Sequence, residues 1–508
     1  MKKVLVFLLL TLLLTVCVSA QDRGRETVGF SSDLDNYIRA TFDKLPDIPG
    51  LAIVVIKDDE PVFIKAYGMA DREAGRKADL DTMWYIASST KAFTALAAAM
   101  LDAEGKIKFS DPFTKYTPGV KFKNEIPDKI TVRDLLTHTS GLRNGILVNR
   151  LAYTGQVKQD EIDRVFAEAT AFNDAAFGKY AYTNLGYNIY GLMLHYTLGK
   201  QWQDVLQQRV FDPVGLKHTT AYISRANKKK WSVAAPYIVD APAGKMIRSV
   251  LDKTDDNMQS AGGMYMSISD LGKWISLNMN DGKFGGKQVI PAQLIRNAHT
   301  GYTKSTRNEP PFSGDGEYGL GWQIGKYRDE KVVYHHGGYA GYRTHISFLP
   351  DKKIGVGVLI NNDQLGGRVA DLLATYAYDR WLNVPNVETA FASELQKTVQ
   401  MYEKRKNDMH VAALERAKRK WQLSKPFDAY AGRYTNELFG TIDITPRGEA
   451  LFVRMGNLNA LATPFTEKET IRVEMIPGGN GETMKFNVDS AGNVVSLGYA
   501  ETTFTRVK

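Results

Sequence analysis

Strand signals stand at both ends of the first three-quarters of the chain, with helical signals between them. Leu51–Lys57 and Pro61–Tyr67 are apolar, β-branched runs around the turn Lys57-Asp58-Asp59-Glu60, which predicts a hairpin. Strand-like runs return only at Tyr318–Ile324, Val332–His335, His345–Phe348 and Ile354–Ile360, each punctuated by Gly or Asp. Between them, Thr90–Glu104 is rich in Ala, Leu and Met and meets no breaker before Gly105, the pattern of a buried helix. Val132–Leu136 and Leu185–Leu198 continue the helical text, and Leu365–Trp381 reads as a last helix. Strands early, helices in the middle, strands late and a final helix predict an α/β sandwich carrying a helical insertion.

The pattern changes twice after that. Val387–Leu423 is a charged helical stretch with basic clusters at Lys404-Arg405-Lys406 and Arg416–Lys420, the text of a solvated connector. From Pro426 short alternating strands follow one another: Gly432-Arg433-Tyr434, Gly440–Ile444, Leu451-Phe452-Val453, Arg472-Val473-Glu474, Lys485–Val488 and Thr503-Phe504-Thr505. That spacing predicts a small all-β barrel or sandwich. The expected division is 1–20 leader, 21–386 main domain, 387–425 helical connector and 426–508 β domain.

Composition narrows the chemistry. The 508 residues are 44% hydrophobic and 24% charged, ordinary for a globular protein. A single Cys excludes a disulfide framework and any Cys-based zinc or iron–sulfur centre. The net charge of +9 is a mild basic bias on this length, and no nucleic-acid module accompanies it. Met1–Ala20 has two lysines, an apolar run from Val4 to Val16 and small residues at Val18-Ser19-Ala20, the layout of a signal peptide cleaved after Ala20. A lipoprotein anchor at Cys17 is disfavoured because Val16 stands where a smaller residue is expected. No later segment is long and apolar enough to span a membrane. A secreted or periplasmic protein is expected.

Three short motifs carry the chemistry. In Tyr85-Ile86-Ala87-Ser88-Ser89-Thr90-Lys91, Ser88 and Lys91 are three apart, one turn of a helix on one face. A helix N-terminus offers free N–H groups, and a neutral lysine can deprotonate a serine. Tyr182-Thr183-Asn184 adds a tyrosine able to shuttle protons and an amide able to orient a carbonyl or an amine. Val332–Gly341 runs a strand into His335, His336, Gly337 and Gly338, where glycines admit a substrate backbone and an N–H can complete an oxyanion hole. Neighbouring strand residues face opposite ways, so His335 and His336 make a poor metal pair. His138, His195, His218, His299, His345 and His410 show no ligand spacing along the chain, and no metal site is expected.

In order and separation these motifs resemble the serine β-lactamase-like family: class C β-lactamases, D-alanyl-D-alanine carboxypeptidases, D-aminopeptidases and related esterases. Leu135–Leu142 and Ser260–Ser267 with Asp270-Leu271 look like two further family signatures. The resemblance covers about residues 30–385. It implies an antiparallel sheet flanked by helices with a helical subdomain, and no cofactor. It makes Ser88 the acylated nucleophile, Lys91 the general base or its partner, and Tyr182 the proton shuttle. Asn184 becomes a substrate and network ligand. His335 takes the first position of the third motif, Gly337 its third, and the Gly338 N–H joins that of Ser88 in the oxyanion hole. Class C β-lactamases carry a lysine where this chain has His335, and a histidine is mostly neutral at pH 7. The expected substrates are therefore peptides with D-residues, of cell-wall type. An esterase or β-lactamase on the same machinery, and a non-catalytic protein binding peptidoglycan or a partner, are the competing readings. The tail from Pro426 resembles the lipocalin-like domain of some of these hydrolases, which implies a cleft cap or an oligomer contact.

Overall fold

The computed structural model describes residues 28–155, 158–307, 310–479 and 481–507. The expected leader, with Cys17 and the cleavage point, lies outside them. No described helix is long and apolar enough to cross a membrane.

The two ends of the main domain meet in one sheet. Its nine strands run in the order Thr303–Lys304, Ser313–Tyr318, Gln323–Tyr327, Glu330–Tyr339, Tyr342–Leu349, Ile354–Ile360, Gly50–Lys57, Glu60–Asp71 and Arg76–Lys77. Every pairing is antiparallel. The early hairpin joins the late strands through the register Leu51↔Ile360 to Lys57↔Ile354. Gly50–Lys57 is buried along nearly its whole length because both faces are covered. Ile53, Val55, Val356 and Val358 pack with Leu34 and Ile38 of a helix over 28–44 and with helix Gly366–Trp381. Ala52, Val54 and Ile56 belong to the other core, with helices Thr90–Ala103 and Ile268–Met279. A Cβ at Gly357 would sit 2.7 Å from Leu271 Cδ2, so glycine lets helix Ile268–Met279 lie close on the sheet.

Two expectations are corrected. Tyr318–Ile324 is not one strand: it divides between Ser313–Tyr318 and Gln323–Tyr327. Gly321, at φ +78, forms the break, and Gly319 N–H closes the turn on Trp322 O. The helix Val387–Ala417 is not merely solvated. Val387, Phe391, Leu395 and Tyr402 are buried in the same core as Leu34 and Ile38, and Lys406 pairs with Asp47 at 2.8 Å. Polar and charged residues fill most of the positions between them, which masks a helical stripe of wide spacing.

The Gln323–Tyr327 strand pairs with its neighbour only as far as Tyr334. Among the described residues, 335–339 are paired with Tyr342–Leu349 on one side and meet no strand on the other.

The C-terminal strands form a second nine-stranded antiparallel sheet, from Leu458–Leu461 round to Thr463–Pro464. Those two end strands are consecutive in the chain, joined at Ala462, whose N–H donates to Leu451 O at 2.8 Å. One bent segment thus brings the sheet's two ends together as a nearly closed barrel. Tyr434, Ile442, Val453, Ile471, Met484, Phe486, Leu497 and Phe504 are buried in it. Barrel loops dock on the helical subdomain: Arg150 donates to Leu438 O at 2.9 Å, Arg164 to Glu437 O at 2.6 Å, and Asn457 N–H to Thr154 O at 2.8 Å.

Candidate active site

Ser88 lies in a single 3₁₀ turn, Ala87–Ser89, that runs straight into helix Thr90–Ala103. Ala87 takes φ +46, a left-handed conformation costly for a residue with a Cβ. The turn is held from both sides. Ile86 N–H donates to Met264 O at 3.0 Å, and Ser89 Oγ donates to His335 O at 3.3 Å.

Lys91, one turn on, is fully buried. Its Nζ donates to Asn184 Oδ1 at 2.8 Å and to Ala261 O at 2.7 Å, and it stands 5.0 Å from the centre of the Tyr182 ring. No described carboxylate pairs with it. Burial, with the positive charge of Arg307 adding to it, holds its pKa well below that of an ordinary lysine. A neutral amine has two N–H bonds. Both have acceptors here, which leaves the lone pair free to take a proton.

Asn184 heads helix Leu185–Leu198, whose Gly186 lies so close to helix Val132–Leu136 that a Cβ would collide with Leu135 O. Tyr182 is placed by His138. The His138 ring centre is 4.5 Å from that of Tyr182, its carbonyl accepts from Ala181 N–H at 2.9 Å, and Nδ1 accepts from Thr183 N–H at 3.4 Å. His138 itself sits at φ +62, and burial keeps it neutral by pulling its pKa well below the usual histidine range. It orders the loop, in keeping with its place in the first ancillary signature.

His335 is buried beside this group, its ring 6.3 Å from that of Tyr182. Nδ1 lies 2.7 Å from the His336 carbonyl and donates to it, which leaves Nε2 as an acceptor; that atom is buried and has no hydrogen-bond partner. Burial presses the His335 pKa well below its ordinary value. It cannot supply the permanent charge of a lysine. His336 turns to the opposite face of the strand, as alternation requires.

A cavity of about 400 Å³ brings Ser88, Tyr182, Gly337 and Gly338 together with Arg307, His336, Arg343 and Asp371. A larger hollow lies elsewhere among the described residues, but it holds no nucleophile beside a buried base. Gly337 is fixed by packing: a Cβ there would collide with Ile86 O, the backbone atom just before the turn that carries Ser88. Gly337→Ala should therefore cost about 1–3 kcal/mol of stability in a urea melt and push residues 335–339 away from Ser88, so that any turnover depending on Ser88 falls in kcat more than in KM. At Gly338 a Cβ would meet only the flexible end of Arg343, a milder conflict.

All the residues expected at the site by resemblance gather around this cavity or its floor. Others were not foreseen. The Ala261 carbonyl that holds Lys91 lies within the second ancillary signature, but a backbone acceptor leaves no mark in residue identity. Arg307 comes from a loop with no periodicity at all. Tyr187 and Tyr318, buried near His138, read in the sequence as ordinary core aromatics.

A Beta-lactamase family profile matches residues 38–378, about two thirds of the chain. This chain belongs to the β-lactamase family. Among curated proteins, this member of the β-lactamase family is 27% identical over 318 residues to Protein flp of Staphylococcus aureus (strain MW2), covering 62% of this chain and 60% of that one. The chain thus spans about three fifths of that relative's length. It is 24% identical over 425 residues to the unguisins hydrolase ungD of Aspergillus violaceofuscus, covering 79% of this chain and 74% of that one. The octameric penicillin-binding protein homologue from Pyrococcus abyssi shares the fold, with a TM-score of 0.58 at 22% identity over 94% of this chain and 99% of that one. The β-lactamase-family assignment makes this a serine hydrolase fold, with the C-terminal barrel attached.

Proposed function

We propose that the protein is an exported serine hydrolase that works through a Ser88 acyl-enzyme on peptides containing D-residues, of cell-wall type. The observation that carries the reading is the Lys91 amine: buried, without a carboxylate, both N–H bonds taken, one turn from a serine. In the proposed reaction the Lys91–Tyr182 pair takes the Ser88 proton as Oγ attacks the substrate carbonyl. The N–H groups of Ser88 and Gly338 hold the oxyanion. Tyr182 returns the proton to the leaving amine, and the acyl-enzyme forms. Water, deprotonated by the same pair, then attacks the acyl carbon, and the pair returns the proton to Ser88 Oγ as the acid leaves. Lys91 and Tyr182 act as a coupled pair.

His335 favours a peptidase over an efficient β-lactamase. A neutral ring with a free acceptor nitrogen can take a hydrogen bond from a substrate amide but offers no charge to a carboxylate. Self-association through the barrel belongs to the same proposal; the fold neighbour is itself octameric.

The test is a side-by-side assay of D-alanyl peptides, a simple aryl ester and benzylpenicillin, with the intact mass of the mature protein followed throughout. Turnover of the D-peptide, together with a penicillin adduct on Ser88 that clears slowly, is expected. Rapid penicillin hydrolysis without an adduct would make the protein a β-lactamase. Ester turnover alone would make it an esterase. An unlabelled Ser88 with all three, and with a fluorophosphonate, would leave a binding protein.

A further inference from the structure

The antiparallel register sets His336 directly opposite His345. Histidines nine positions apart show no ligand spacing along the chain, yet across this ladder their side chains share one face of the sheet. Helix Gly366–Trp381 covers that face and brings Asp371 over the pair. Three donor atoms then converge. His336 Nε2 is 3.0 Å from Asp371 Oδ1, His345 Nδ1 is 2.8 Å from the same oxygen, and the two nitrogens are 3.2 Å apart.

We infer that His336, His345 and Asp371 form a binding site for a divalent transition-metal ion of the zinc class, on the wall of the Ser88 cavity. Three arguments carry it. The first is size: with bonds of about 2.0–2.1 Å to N and O ligands, an ion holds neighbouring donors roughly 3.0–3.4 Å apart. The observed triangle of 2.8–3.2 Å needs a shift of only a few tenths of an ångström. The second is the chemistry of the set: two imidazoles and one carboxylate suit Zn²⁺ and its borderline neighbours and leave positions open for water or a substrate group.

The third is the surrounding shell. His345 is fully buried, and its other nitrogen lies 2.6 Å from Ser347 Oγ, which lies 2.7 Å from Tyr378 OH. That chain lets Nε2–H donate outward while Nδ1 keeps its lone pair for the ion, the arrangement that orients metal-bound histidines. Phe312 and Tyr334 pack beside the two rings. Access comes from the cavity, which both His336 and Asp371 line. With two neutral imidazoles and one carboxylate, the loaded site carries one net positive charge. The cleft thereby gains the fixed charge that His335 lacks.

The full mature chain, without an affinity tag, is stripped with dipicolinate and titrated with Zn²⁺ by calorimetry. One equivalent should bind, and Co²⁺ in its place should give visible absorption bands. Asp371→Asn keeps the shape of the carboxylate. His336→Gln alters a side chain that is a quarter exposed. Each should weaken Zn²⁺ at least about tenfold at an unchanged Tm of the metal-free form. Ser88→Ala should bind Zn²⁺ as the parent does. Absence of saturable binding by the parent, or equal affinity in both variants, would overturn the site.

Discussion

Ser88→Ala should lower turnover of every accepted substrate by about 10⁴-fold or more, since a nucleophile that acts as a unit with its base leaves little activity when removed. The fold should barely respond. Ser88 is half-buried, and it makes no side-chain hydrogen bond that holds the turn; Ser89 and Ile86 do that. A change within about 0.5 kcal/mol in a urea melt is expected. The same variant should fail to gain mass with benzylpenicillin or a fluorophosphonate. Residual turnover at a tenth of the parent rate would remove the acyl-enzyme from the mechanism, whatever the family.

Lys91→Arg is the second large effect, and its value lies in its pH profile. A lysine acting as a base works only when neutral. Because burial lowers its pKa well below the ordinary lysine range, the neutral form persists to pH values where an exposed lysine is charged. In the parent, kcat/KM should fall as pH drops through that lowered value and level off above it. A guanidinium does not give up its proton in proteins. Lys91→Arg should therefore lose about 10²–10⁴-fold at every pH, with no recovery on the alkaline side. Lys91→Met, which keeps the buried volume, separates lost basicity from lost packing: its circular dichroism should match the parent while activity stays absent. An arginine variant that regains activity at high pH would return the base role to Tyr182 alone.

Much of the site was legible because each motif is local. Ser88 and Lys91 share a helix turn, Tyr182 and Asn184 a loop, and His335 to Gly338 a strand, so spacing along the chain stands for spacing in space. The strands Ile354–Ile360 and Gly50–Lys57 were legible for a related reason: continuous apolar runs survive only where both faces are covered. What stayed hidden depends on register and on three-dimensional approach. The opposition of His336 and His345 exists only once the hairpin pairs. The buried stripe of Val387, Phe391, Leu395 and Tyr402 is diluted among polar and charged residues. The break at Gly321 looked like one more glycine in a strand, until the need to pack against Ala92 gave it a positive φ.

Both sheets are guarded at their rims. The main sheet ends in the two-residue strands Thr303–Lys304 and Arg76–Lys77, each carrying a lysine. The barrel nearly meets itself at Ala462. Short, cationic or closed margins give another chain little to pair with. Residues 335–339, beside the Ala87–Ser89 turn, are a described stretch inside the sheet that pairs with a strand on one side only, and Ser89 Oγ already takes the His335 carbonyl. On the proposed function, an extended substrate would add its own backbone to residues 337–339, an edge that a compact ester would leave unused. Selectivity for extended acyl chains would then come from a strand the protein does not make.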